Sequence, residues 1–181
     1  VTGLAPREIA RRGMVRSFQL PQLFNEHTVR DCVRIAAAGK RNRLSILTAL
    51  SNAVDEGAID HVLSMVGLMD RADEISSALP EGQRKLLDIA MALVMQPRLL
   101  ILDEPTEGLD PRQRLEVLQL IRQLAVDHTV ILSTHILSEV KAVCSRVLIL
   151  HQGKKVADEP LSLLSPSHNS LDEMFIRLTA A

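Results

Sequence analysis

Four apolar residues, Leu99, Leu100, Ile101 and Leu102, run directly into two acids, Asp103 and Glu104, and then into a turn containing Pro105 and Gly108. A second apolar stretch, Thr129 to Leu132, ends in Ser133, Thr134 and His135. Short, continuously apolar runs mark strands of a parallel sheet covered on both faces. In open parallel sheets, ligands bind beyond the carboxyl ends of the strands. An acid pair and a histidine at neighbouring strand ends suit Mg²⁺ and a phosphate, because the cation takes hard oxygen ligands and phosphoryl chemistry needs placed charge. Strand ends are also polar for no chemical reason, and His135 alone would carry no such reading.

The elements that must position these groups are legible from periodicity. "APREIARRG" reads as a short helix with Pro6 at its start and Gly13 at its close. "MVRSFQLPQLF" reads as a short strand and a turn at Pro21, and Val29 to Ala38 as a helix. Ile59, Val62, Leu63 and Val66 share one helical face. Leu86, Leu87, Ile89, Ala90, Leu93 and Val94 form an apolar stripe on a helix from Glu81 to Met95. Asp110, Pro111 and Gln113 stand as N-cap, N1 proline and N3 capping-box residue of a helix whose face carries Leu115, Leu118, Ile121 and Leu124. A helix through "ILSEVKAVC" leads to a third strand, Val147 to Leu150, a hairpin turn at Gly153 and a short strand. The last helix, from Ser170, shows Leu171, Met174, Phe175 and Leu178 on one side. Alternating helices and strands predict an α/β domain with a mostly parallel sheet.

Composition narrows the classes. The chain has 181 residues, 46% of them hydrophobic, enough to bury a core. A net charge of −1 gives no electrostatic case for nucleic acid or an anionic membrane. Three Phe, no Tyr and no Trp leave little surface for stacking bases. Cys32 and Cys144 stand far apart with no partner at ligand spacing, which fits a reducing compartment. No apolar run approaches the ~20 residues that span a bilayer. His27, His61, His128, His151 and His168 are scattered and read as surface or loop residues.

Four segments, in order, carry a resemblance to the ATPases of ABC transporters that covers essentially the whole chain. "VRSFQLPQLF" resembles the family's Q-loop, "LPEGQRKLLDIAMAL" its signature motif and helix, "LLILDEPTEGLDP" its Walker B and D-loop, and "ILSTH" its switch-histidine strand. The resemblance implies a P-loop NTPase-like α/β fold with a helical subdomain. It implies ATP and Mg²⁺ as cofactors, with Asp103 and Gln19 at the metal. Glu104 would polarise the attacking water and His135 would sense the γ-phosphate. Pro80, Glu81, Gly82 and Gln83 would open the signature helix, whose N-terminal N–H groups suit an anion held by a partner subunit. Asp110 caps a helix, and the family also uses its loop across the dimer. Implied partners are transmembrane permease subunits and a second ABC ATPase subunit, with the membrane reached only through them, at the inner face of the cell membrane on the cytoplasmic side. The implied division is one partial ATPase domain over 1–181: a helical signature subdomain at 27–95, a Walker B to switch-histidine core at 96–160 and a terminal amphipathic helix at 161–181.

The phosphate-binding GxxxxGK[ST] loop, whose N–H groups and Lys would cradle phosphates, is absent from the 181 residues. Gly39-Lys40 reads as a loop and Gly153-Lys154 as a hairpin turn; neither has the required glycine before it or Ser/Thr after it. The expectation is that this loop, its strand and the β subdomain of the family precede Val1, and that the chain alone exposes apolar strand edges, needs a partner and does not bind ATP tightly. The signature departs from the family in having Pro80 in place of Ser and the acid Glu81, and "AVCSRV" has Ser145 in place of Asp. "GLAPREIARRGMVRSFQ" and "VGLMDRADEISSALPEGQRKLLDIAMAL" are similar to branched-chain amino acid importer ATPases, whereas "DHTVILSTHILSEVKAVCSRVLIL" and "SLDEMFIRL" look like ABC-2-type exporter ATPases. Import is favoured because the importer-like segments hold the Q-loop. A non-catalytic subunit offering its signature helix in trans is the alternative, against which Glu104 and His135 speak. A soluble ABC ATPase of translation or DNA repair ranks last, for want of paired motifs or heptads.

Overall fold

Apolar residues at Leu99–Asp103 (β2) make the central strand of a three-stranded parallel sheet, between Met14–Ser17 (β1) and Thr129–Ser133 (β3). These come from a computed structural model that describes residues 3–18, 21, 23–41, 54–163 and 171–180. Ser17 lies beside Leu102 and Asp103 beside Ser133, so the three strands end at one edge. Pro6–Arg11 (α1) starts on its proline, as expected, and is followed by Gly13 at φ 85°. The Gly13 carbonyl accepts from the N–H groups of Arg98 (2.7 Å) and Leu99 (2.9 Å), which sets the β1–β2 register. A side chain there would meet Arg98 Cγ at 3.2 Å and would have to hold the left-handed conformation.

The sheet is better covered on one face than on the other. Leu100 and Leu102 are fully buried, whereas Leu99 and Ile101 are half-buried and Ile131 on β3 is 50% exposed. The expectation of two covered faces is thus corrected: side chains of period two put Leu100 and Leu102 inward, and among the described residues the opposite face of β3 is left open.

Among the described residues this part also holds the α-helices Val29–Arg41 (α2), Glu56–Met65 (α3), Glu81–Leu93 (α4) and Pro111–Asp127 (α5). Ile59, Val62, Leu63 and Val66 are all buried, as their spacing predicts. Gly39-Lys40 falls inside α2 rather than in a loop. Arg34 holds Glu56 through two hydrogen bonds (2.8 and 2.9 Å), fastening α2 to the start of α3. On α5, Leu118, Ile121 and Leu124 are buried with Val117 and Leu120, but Leu115 is 61% exposed. The buried arc centres on Val117, Ile121 and Leu124, and Leu115 lies some 200° of helical rotation from Val117.

The chain divides into two compact units, the one above ending at Ser133 and the second running from Thr134 to Ala181. In the second, Leu137–Val143 (α6), Arg146–His151 (β4), Lys154–Pro160 (β5) and Leu171–Thr179 (α7) surround Val140, Val147, Ile149, Leu171 and Met174. The third expected strand therefore does not extend the parallel sheet; β4 pairs antiparallel with β5. Gln152 and Gly153 both have positive φ (47° and 74°), the geometry of a tight turn that folds the chain back on itself. Phe175, expected inside with Leu171 and Met174, is 37% exposed.

Candidate functional site

The end of β2 is shaped by a residue in an unfavourable conformation. Glu104 has φ 46°, a left-handed geometry that costs a side-chain-bearing residue about 1–2 kcal/mol. Contacts on both sides hold it there. Its N–H donates to Ser133 O (2.9 Å), and its carbonyl accepts from Glu107 N–H (3.2 Å) and from the Lys85 ammonium (3.3 Å). Lys85 also donates to Glu107 O. Asp103, one residue earlier, accepts from Arg16 Nη2 at 2.5 Å across the β1–β2 pair. The hydrogen bond from Arg16, with a second from Ser133, holds its carboxyl below the usual range. Arg16 also lies over the half-exposed Phe18 ring, 5.5 Å from its centre.

Helix α4 closely approaches this turn at Glu81, and α5 at Gly82. Pro80 is its N-cap without a side-chain capping bond, and Glu81 opens its first turn. The Glu81 carboxylate reaches Gly108, which adopts φ 74°: a Cβ there would lie 3.1 Å from Oε1. A Cβ on Gly82 would sit 2.5 Å from Gln113 Oε1, so the Gln113 carboxamide would have to move aside for any side chain there. Gln113 thus lies across Gly82 rather than reciprocating as a capping-box residue. The side-chain oxygen of Gln83, Oε1, is buried and has no hydrogen-bond partner among the described residues. Asp110 caps α5 as expected, accepting from Arg112 N–H (2.8 Å) and Gln113 N–H (3.0 Å).

Two further groups of α4 escape sequence reasoning. Lys85 is 6% exposed and Asp88 7% exposed. Asp88 Oδ2 accepts from Phe18 N–H (3.0 Å), at the end of β1. Burial pushes the Asp88 carboxyl up to about 6, opposed by its bonds from Phe18 and Ser17. Burial likewise pushes Lys85 down, against the raising effect of Glu107, Glu81 and Glu104. The sequence carries a signal for both: they stand three residues apart among Leu86, Leu87 and Ile89, where a charge enters an apolar stripe.

The sequence-derived residues are thus only partly assembled. Asp103, Glu104, Pro80, Glu81, Gly82, Gln83 and Asp110 all belong to the first compact unit. His135 belongs to the second, where it is exposed. The residues flanking it are pinned: Thr134 Oγ1 donates to Glu139 Oε2 (2.9 Å) and accepts from Ile136 N–H (3.1 Å), and Glu139 is buried. Gln19 lies outside the described residues. Asp103 is an ionised carboxylate at a strand end, the donor a magnesium ion takes when waters and phosphate oxygens complete its shell. Among the described residues no cluster of three or more His, Cys, Asp or Glu is placed to hold a metal.

Known proteins resemble this chain in sequence and in fold. LivG of Escherichia coli K12, a high-affinity branched-chain amino acid transport ATP-binding protein, is 34% identical over 167 residues, covering 86% of this chain and 65% of that protein. SsuB of Pseudomonas putida KT2440, an aliphatic sulfonates import ATP-binding protein, is 36% identical over 168 residues, covering 92% of this chain and 57% of its own. The chain therefore spans somewhat less than two thirds of the length of these relatives. Among solved structures, cbiO1 from Clostridium perfringens, part of the ABC transporter complex cbiONQ, superposes with a TM-score of 0.72 at 28% identity, over 92% of this chain and 62% of that one. An ATP-binding subunit of an ABC transporter reaches 0.75 at 27% identity, over 96% and 71%. The protein family described as ABC transporter matches residues 3–107. The chain belongs to the ABC transporter family.

Proposed function

We propose that this chain is part of an ATP-binding and ATP-hydrolysing subunit of an ABC importer. The observation that carries the reading is the end of β2, where Glu104 is held in a left-handed turn directly after the ionised Asp103. Asp103 and Gln19 would hold Mg²⁺, which supplies charge neutralisation for the phosphates when bound. Glu104 orients and polarises the attacking water, and His135 senses the γ-phosphate. Pro80, Glu81, Gly82 and Gln83 open the helix that faces a nucleotide held by a second ATPase subunit, and the Asp110 loop crosses to that partner. Residues 27–95 act as the helical signature subdomain, 96–160 as the core and 161–181 as the terminal helix.

The partners are transmembrane permease subunits and a second ATPase subunit, and the protein sits on the cytoplasmic face of the membrane through them. Import is favoured over export by the LivG and SsuB matches, which extend over 86% and 92% of the chain and so into its exporter-like second half. The substrate class is that of branched-chain amino acids.

The test is Glu104→Gln in the protein assembled with its membrane subunits. Steady-state ATP hydrolysis falls about 100-fold or more while ATP is still bound, as expected when a group that handles the water is lost. Undiminished hydrolysis overturns the assignment of Glu104. Uptake of leucine, and not of an alkanesulfonate, into vesicles carrying the transporter checks the substrate class.

A further inference from the structure

Of the described acids and bases, Lys85, Asp88 and Glu139 are buried. Two of them stand one turn apart on α4 and carry opposite charges, yet they do not pair: Lys85 meets main-chain carbonyls, and Asp88 meets the Phe18 N–H and the Ser17 side chain. Lys85 places its ammonium on the carbonyls of Glu104 and Glu107, beyond the end of β2. Asp88 places its carboxylate on the N–H of Phe18, at the end of β1. Burying a charge is costly unless hydrogen bonds replace its water. Here both charges are committed to the two strand ends where the proposed chemistry occurs. A Leu or Met at either position would pack the helix at lower cost.

The contact with Glu104 is the more informative. A left-handed glutamate is not held by its own preferences, so the surroundings must over-determine it. The N–H side is fixed by Ser133 and the carbonyl side by Lys85 and Glu107. Removing the Lys85 donor takes away a charged side-chain contact on that carbonyl. It also removes a cation from beside three carboxylates, Glu81, Glu104 and Glu107.

We propose that Lys85 is a positioning residue for Glu104, and that with Asp88 on the end of β1 it makes α4 one rigid body with both strand ends. The helix whose first turn carries Gly82 and Gln83 then also dictates where the Glu104 carboxylate stands. The proposal rests on the reading of Glu104 as the group that handles the water.

The experiment compares wild type, Glu104→Gln, Lys85→Met, Lys85→Arg and Asp88→Leu in the assembled transporter. Hydrolysis is expressed per ATP bound, so that a loss of folded protein is not counted as a loss of rate. Lys85→Met lowers kcat about 10- to 100-fold, the cost of misplacing a reacting group by about an ångström, with nucleotide affinity within about threefold of wild type. Lys85→Arg, which keeps a cationic donor, recovers part of the rate. Asp88→Leu shows the same split between kcat and affinity and serves as the test if Lys85→Met does not fold. A kcat within about twofold of wild type for a folded Lys85→Met or Asp88→Leu overturns the proposal. A parallel fall of kcat and affinity also overturns it. If Glu104→Gln hydrolyses ATP normally, the functional reading itself has failed, a different result from the failure of Lys85 to act through it.

Discussion

Asp88→Asn changes how the stability of this protein depends on pH, and in a calculable way. The carboxyl is 7% exposed and pushed up to about 6 from the usual 3.8. The folded state therefore binds a proton more readily than the unfolded chain. Below about pH 4 both states are protonated and the group contributes nothing to the balance. Between about 4 and 6 the unfolded chain has released its proton and the folded one has not, so stability falls as pH rises. Above about 6 the full cost is present, about 3 kcal/mol, because each pH unit separating the folded and unfolded titrations is worth about 1.4 kcal/mol. Asparagine has the same shape, does not ionise and still accepts from Phe18 N–H. The bonds to the ionised carboxylate are already contained in the net shift, so losing them costs the variant nothing further. The variant is then more stable than wild type by about 3 kcal/mol at pH 7.5, and the difference shrinks steadily between pH 6 and 4. Urea unfolding of both proteins across pH 4–8 measures this, and every other titrating group cancels in the comparison. Parallel curves over that range would refute the reasoning, since they would mean that Asp88 does not carry its charge in a buried site.

Two further outcomes follow from the same geometry. Asp110→Ala removes the acceptor of two N–H groups at the start of α5 and costs about 1 kcal/mol in urea unfolding, whereas Asp110→Ser restores most of it. Arg16→Gln removes the first cause of the lowered Asp103 titration, so the Asp103 carboxyl moves up towards the ordinary range in a carboxyl-resolved NMR titration. An unmoved Asp103 would show that the 2.5 Å contact is not maintained in solution.

Several features of this protein are decided by residues close together in the chain, and for that reason the sequence alone determines them. The four apolar residues before Asp103 make a strand, with Leu100 and Leu102 buried. Asp110 and Pro111 start a helix through bonds that reach only to Arg112 and Gln113. The face of α3 follows from the spacing of Ile59, Val62, Leu63 and Val66. The placement of Asp103 and Glu104 at the end of β2 is therefore local in origin. What surrounds them is not. Arg16 meets Asp103 across 87 residues of chain, Phe18 meets Asp88 across 70, and Lys85 reaches Glu104 across 19. No periodicity reports such pairings, because each depends on how helices and strands are packed together. The same holds for Gln113, whose capping-box position is satisfied on paper but whose side chain is taken by the bare Cα of Gly82. The hairpin of β4 and β5, by contrast, is local: it is made by the adjacent Gln152 and Gly153 and is legible in the sequence. Local sequence determined which groups stand at the strand ends; tertiary packing decided which buried charges hold them there, because a desolvated charge takes whichever backbone group the fold brings within reach.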